Sequence, residues 1–247
     1  MVSHPNAELK KNVCWCLSLI AKHSIELAEA VATADLFPKI LNCLKDSNAE
    51  VRYNSCKCIR KIAKRSQDLA MFIVQQGGPD SLVEYLKLST NEALIPGIKT
   101  LGSIASYEEN FSTNIINAKA IFPLKDALLN PNKLIQEKAA WALGEMGKHT
   151  PDHAKSLAES DVLPVLFNAY KQSDNTPQGK DLTSKARKAL KMIIEKCTYL
   201  PPLLPILCTL FKELQDTSKP DEKEITLLKC ILGRFANLLP SNTDQRK

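Results

Sequence analysis

Apolar residues recur along this chain three and four positions apart, the spacing that puts them on one side of an α-helix. Leu27 with Val31 and Leu69 with Ile73 are examples, and short polar or Pro/Gly breaks separate one such stretch from the next. The pattern also repeats on a longer scale. Cys14, Trp15, Cys16, Leu17, Ile20, Ala21 and Lys22 align with Cys56, Lys57, Cys58, Ile59, Ile62, Ala63 and Lys64 at a constant offset of 42 residues. A second step of 42 reaches Leu101, Ile104 and Ala105, and a third reaches Leu143, Met146, Gly147, Lys148 and His149. No insertion interrupts these steps.

Each unit predicts three helices. Ser24, Ser66 and Thr150 open the first, with Glu26, Asp68 and Asp152 two places on. A side-chain oxygen there accepts from free backbone N–H groups, and an acid suits the positive end of the helix. Pro151 stands where the missing N–H is harmless. Breaks follow at Ala34-Asp35, Gly77-Gly78 and Ser160-Asp161, the glycine pair being explained by helix termination. A second helix then carries proline near its start, at Phe37-Pro38, Phe122-Pro123 and Leu163-Pro164. The third and longest helix ends at the position of Lys22-His23.

Three helices in such a period fit the armadillo or HEAT class, whose repeats run to roughly 40–47 residues. One unit cannot bury its apolar face alone, so the units must stack. The expected fold is all-α, an armadillo-repeat right-handed superhelical solenoid with a 42-residue period. Residues 1–247 read as a single array: a partial repeat at 1–23 with the third helix only, full repeats at 24–65, 66–107 and 108–149, and a fifth at 150–197. The fifth contains an insertion near 172–181 (QSDNTPQGKD), read as a polar loop. Residues 198–247 read as a divergent repeat or cap, with helices expected near Ile206–Leu214 and Glu224–Leu239. The abrupt start on a third helix reads as a fragment of a longer solenoid whose exposed first face could associate.

Composition supports this picture. The chain is 44% hydrophobic and 6% aromatic with only 8 glycines, too apolar for disorder and too poor in aromatics and turns for an all-β fold. No apolar run reaches the roughly 18 residues needed to span a bilayer, and Met1 to Lys11 lacks the apolar stretch of a signal peptide. The expectation is a cytoplasmic protein whose 8 cysteines are reduced and buried. Of the net charge of +6, +5 lies in residues 1–65. A nucleic-acid binder would be more basic over its whole surface.

Catalytic and metal chemistry find no foothold. His149 and His153 are four apart, but Thr150-Pro151 starts a new helix between them, so they do not share a continuous zinc-binding face. Cys14 with Cys16 and Cys56 with Cys58 point to different sides of a helix and read as core. There is no phosphate-binding glycine loop and no nucleophile set beside a base. The reading is a protein that is not an enzyme, with no cofactor, metal or small-molecule substrate.

The third helices carry the candidate binding surface. Peptide-binding armadillo proteins such as importin-α place a ladder of Trp and Asn there. By that resemblance the Asn position falls on Leu19, Lys61, Ser103 and Glu145, and the Trp position on Trp15, Lys57, Lys99 and Trp141. No rung holds Asn, which argues against an importin-like clamp. In residues 48–65, Val51, Ile59 and Ile62 form a buried stripe, while Tyr53, Lys57, Lys61 and Lys64 lie along another face that Lys99 extends. Such a row is either a solvated face or a site for an acidic protein. The candidate surface is therefore Trp15, Tyr53, Lys57, Lys61, Lys64, Lys99, Trp141 and Glu145.

Four segments narrow the resemblance further: EKAAWALGEMGKHTPDHAKSLAESDVLPVL (Glu137 to Leu166), SKARKALKMIIEKCTYLP (Ser184 to Pro201), IPGIKTLGSIA (Ile95 to Ala105) and FPKILNCLKD (Phe37 to Asp46). They resemble the sperm-associated antigen 6 family, armadillo-repeat proteins of the central apparatus of motile cilia and flagella. KHTPDHA followed by KCTYLP separates that family from armadillo proteins at large. The resemblance covers nearly all of residues 4–205 and corresponds to the C-terminal half of the longer members; residues 215–225 read as an insertion, and the family's usual end is expected to be missing. It implies a non-enzymatic scaffold on a central microtubule of the axoneme, needed for axoneme integrity and flagellar motility. Implied partners are central-apparatus proteins, tubulin through its acidic surface, and further copies along the filament, with no nucleic acid and no membrane. The alternative is a soluble armadillo adaptor that binds peptide segments in transport or signalling.

Overall fold

A computed structural model describes residues 2, 4–172, 176–216 and 222–238. Among the described residues there are fifteen α-helices and no strand. They are α1 (Ala7–His23), α2 (Ile25–Thr33), α3 (Phe37–Asn42), α4 (Ala49–Ala63), α5 (Gln67–Gln75), α6 (Gly78–Lys87), α7 (Leu94–Tyr107) and α8 (Glu109–Asn117). The second half continues with α9 (Ile121–Leu128), α10 (Lys133–Gly147), α11 (Pro151–Glu159), α12 (Val162–Lys171), α13 (Pro177–Ile194), α14 (Leu203–Asp216) and α15 (Glu222–Leu238). The first helices α2, α5, α8 and α11 begin at residues 25, 67, 109 and 151, so the period of 42 recurs in the structure.

Local chemistry sets their starts. The Ser24, Ser66 and Thr150 side chains accept from the backbone N–H of Leu27, Leu69 and His153. Asn6, Asn48 and Asn132 do the same for α1, α4 and α10. Each such cap contributes about 1 kcal/mol. Between first and second helices the chain turns through left-handed residues, Gly77 at φ 75°, Lys119 at φ 65° and Asp161 at φ 56°. Glycine adopts that conformation without penalty, while the other two rely on their turns.

Packing then orders the helices. The third helices α1, α4, α7, α10 and α13 lie side by side in sequence, and the first and second helices pack around them. Because a third helix has neighbours on two opposite sides, both Cys56 and Cys58 are fully buried although they point to different sides of α4. Burial pushes the Cys58 thiol up to about 12 and raises that of Cys56 as well, so both are inert at neutral pH.

Two expectations are corrected here. The segment 172–181 is not a polar loop throughout: Thr176 caps α13, and residues 177–181 form its first turns, because Pro177 suits the start of a helix. Residues 173–175 of that segment lie outside the described residues, as do residues 217–221 of the apparent insertion at 215–225. The cysteines, all free, are not uniformly buried: Cys14, Cys43, Cys56, Cys58 and Cys197 are, but Cys16 and Cys208 are exposed and Cys230 is half-buried. Cys16 sits on the side of α1 that no other described helix covers.

Candidate protein-binding groove

Four consecutive third helices contribute to one groove. Arg60 and Lys64 come from α4 and its end, Lys99 and Ser103 from α7, Glu137, Lys138 and Trp141 from α10, and Lys185 from α13. They line a cavity of about 300 Å³. The parallel stacking of third helices brings these side chains together from residues 60 to 185.

The groove is cationic. Among the described residues Arg60, Lys64, Lys99 and Lys185 form no ion pair, whereas Lys138 pairs with Glu137 at 2.5 Å. Burial lowers the pKa of Lys99, and the nearby charges of Arg60, Lys138 and Lys64 lower it further against the opposing effect of Glu137. Lys61 is lowered in the same way, by burial first and then by Arg60, Lys22, Lys64 and Lys57. Lys22, Lys61, Lys64 and Arg65 line a second, adjoining hollow at the ends of α1 and α4. Like charges gathered this closely repel one another and favour an incoming anion.

The anticipated residues fall into four groups. Lys64, Lys99 and Trp141 meet in the groove, and Lys61 lies beside it in the adjoining hollow. Lys57 and Tyr53 sit next along α4, with the Lys57 ammonium 5.1 Å from the centre of the Tyr53 ring, a cation–π contact. Trp15 stands apart, half exposed on α1. Glu145 lines a small hollow beside the groove with Trp141, Lys185 and Lys188, largely buried and paired with Lys148 one helical turn on. That carboxylate is already engaged within the chain. Trp141 is held by shape, since its ring covers Gly102 on the preceding third helix, where an added Cβ would lie 2.5 Å from it.

Sequence reasoning missed Arg60, Lys138 and Lys185. A signal for Arg60 was present, since Lys57, Arg60, Lys61 and Lys64 follow the three- and four-residue spacing of one helical face. Lys138 and Lys185 belong to other helices and carry no local mark.

The two histidines are engaged separately. His149 donates to the carbonyl of Ala105 at 2.7 Å, and His153 Nε2 lies 2.8 Å from the Thr113 hydroxyl. No group of three or more potential metal ligands occurs among the described residues. No helix among them is long and apolar enough to cross a membrane.

Comparison with known proteins agrees with this architecture. The HEAT repeat family matches residues 36–66, which hold the second and third helices of one unit. Sperm-associated antigen 6 of Homo sapiens is 37% identical over 117 residues, and that of Mus musculus 38% identical over 117 residues. The matched stretch is 47% of this chain but 20% of either relative's length. Among solved structures, a designed armadillo repeat protein superimposes with a TM-score of 0.76 at 19% identity, covering 94% of this chain and 96% of its own. Another, solved in complex with the peptide (KR)4, gives 0.76 at 20% identity, covering 95% and 96%. An engineered protein reaches 0.79 at 20% identity, covering 96% and 94%. In fold the chain is an armadillo-repeat solenoid, and the resemblance to the sperm-associated antigen 6 family that its motifs suggested holds at 37–38% identity across the matched stretch.

Proposed function

We propose that this chain is a non-enzymatic scaffold of the central apparatus of motile cilia and flagella. It holds an acidic protein surface in the groove of its third helices and contributes to axoneme integrity and beating. The groove carries the proposal: Arg60, Lys64, Lys99 and Lys185 converge there beside a single carboxylate, Glu137, which is paired with Lys138. The relatives named sperm-associated antigen 6 support the setting. Tubulin, whose surface is acidic, and acidic central-apparatus proteins fit the charge. A solenoid repeats its contacts along a filament, so modest single contacts add up through avidity. The designed relative in complex with (KR)4 holds a basic peptide; the charge in this groove favours the opposite kind of segment.

The test is stepwise extraction of motile cilia, first with detergent and then with rising salt, following the protein by antibody. Retention with the detergent-resistant axoneme, release by salt, and loss from cilia lacking the central pair support the scaffold. Release with the soluble matrix overturns it and leaves the adaptor reading, in which binding of extended peptides depends on Trp15 and Trp141.

A further inference from the structure

The two adjoining hollows of the groove differ in chemistry. Arg60, Lys64, Lys99, Lys138 and Lys185 reach the larger one, and Trp141 and Ser103 complete its wall. Lys22, Lys61, Lys64 and Arg65 line the smaller one, so Lys64 borders both. In the smaller hollow the Arg65 guanidinium is already committed, donating to the Ala21 carbonyl at 3.0 Å. That leaves lysines, which attract a carboxylate as point charges.

The larger hollow asks for more. Its Arg60 forms no ion pair among the described residues, and a planar guanidinium matches the oxygens of a phosphoryl group with two parallel bonds. Its one carboxylate is neutralised, since the Lys138 ammonium lies 2.8 Å from one Glu137 oxygen and 2.5 Å from the other. Arg60, Lys64, Lys99 and Lys185 remain uncompensated. A glutamate side chain would offset one of those four charges. A phosphorylated side chain brings about −1.5 to −2 at neutral pH and three acceptor oxygens. The site is also set into the fold: Arg60, Lys99, Lys138 and Lys185 are all half-buried, and Trp141 is seated over Gly102 as an apolar wall. Burial and the neighbouring cations already lower the pKa of Lys99, a strain that a bound dianion relieves. A cavity of about 300 Å³ is small, so it takes one substituted side chain and not a folded surface.

We propose that the larger hollow reads a phosphorylated serine or threonine on an extended acidic segment of the partner protein, while the lysines of the smaller hollow hold its flanking carboxylates. This rests on the groove being the protein-binding surface. It makes attachment responsive to a kinase acting on the partner, because an unmodified serine leaves the four cations unmatched. Packed helices lie about 8–10 Å apart and an extended chain advances about 3.3–3.6 Å per residue, so such a segment spends about three residues on each third helix.

Three fluorescent peptides of about twelve residues, added to the 247-residue chain, test this. They share a glutamate-rich half and differ at one position of the other half, which holds phosphoserine, glutamate or serine. Anisotropy should show the phosphoserine peptide binding at least about tenfold tighter than the serine peptide and at least about threefold tighter than the glutamate peptide. The double variant Lys99→Gln, Lys185→Gln should bring the phosphoserine and serine peptides within about threefold of each other. Lys61→Gln, in the smaller hollow, should weaken all three by a similar factor and keep their ratios. Circular dichroism checks that the variants keep their helices. Equal affinity for the phosphoserine and serine peptides overturns the proposal and leaves the acidic partner of the groove standing. Binding of none of the three overturns both. A phosphoserine preference that survives the double variant, or that Lys61→Gln alone abolishes, places the phosphate outside the larger hollow and overturns its assignment there.

Discussion

His149 donates from Nε2 to the carbonyl oxygen of Ala105, 2.7 Å away and 44 residues earlier in the chain. Arg65 does the same from Nε to Ala21 at 3.0 Å, across the same 44 residues. The last carbonyls of a helix have no partner within it, so α1 and α7 are each completed by a side chain just beyond the end of the next third helix. Stacking and capping are thereby coupled from one unit to its neighbour. Replacing His149 with Ala should cost about 0.5–1.5 kcal/mol, the worth of one such bond. The denaturant midpoint measures it, and an unchanged midpoint would remove the contact from the account.

Close approach of third helices makes a second expectation. At Gly102 an added methyl gains up to about 1 kcal/mol of helix propensity. It would also lie 2.5 Å from the Trp141 ring and 3.0 Å from the Ala142 Cβ. Overpacking of this kind costs about 1–3 kcal/mol, so Gly102→Ala should destabilise. In a Trp15→Phe background only Trp141 remains to fluoresce, and its emission should shift as the ring is displaced. Gly233→Ala, where the space is open, should stabilise the dilute chain by up to about 1 kcal/mol.

The environment of His153 ties stability to pH. Burial lowers its pKa below the ordinary 6.5, and the nearby His149 lowers it further, while Glu109 and Asp152 act weakly the other way. Its Nδ1 is buried without a hydrogen-bond partner. The unfolded chain therefore takes up a proton more readily than the folded one. The stability contributed by the neutral ring is complete above pH 6.5 and is lost as pH falls through the folded-state pKa. Thermal melts of wild type and His153→Gln between pH 8 and 5 should diverge, the variant showing the flatter profile. Parallel profiles would rule out His153 as the titrating group.

Reversing charge in the groove should act on binding and leave folding alone. Lys99→Glu and Lys185→Glu place carboxylates beside Glu137 and remove two unpaired cations. Binding of a fluorescent poly-glutamate peptide, read by anisotropy, should weaken at least about tenfold. Its dependence on salt should also become shallower, because fewer charges are being screened. Equal affinity of wild type and variant would leave the row as a solvated face.

Much of this architecture was legible because it is local. Ser24, Ser66 and Thr150 cap helices through the N–H three residues on, and an apolar stripe such as Val51, Ile59 and Ile62 reports helical spacing directly. The groove was legible only in part. Lys57, Lys61 and Lys64 lie along one helix and its end and could be read as a row, but Lys185 reaches the same cavity from three units away. Glu145 occupies a position expected to line the surface, yet its neighbour Lys148 engages it.

By itself the sequence determined the helices, their order, their caps and the period, since these follow from interactions between residues a few positions apart. Tertiary structure decided which faces are covered. Cys16 and Cys58 are the same residue at the same register, one exposed and one fully buried. The difference lies in whether another helix packs in front, and no pattern within a unit records that. The cationic groove has the same origin, because its charges meet only when four third helices stand side by side.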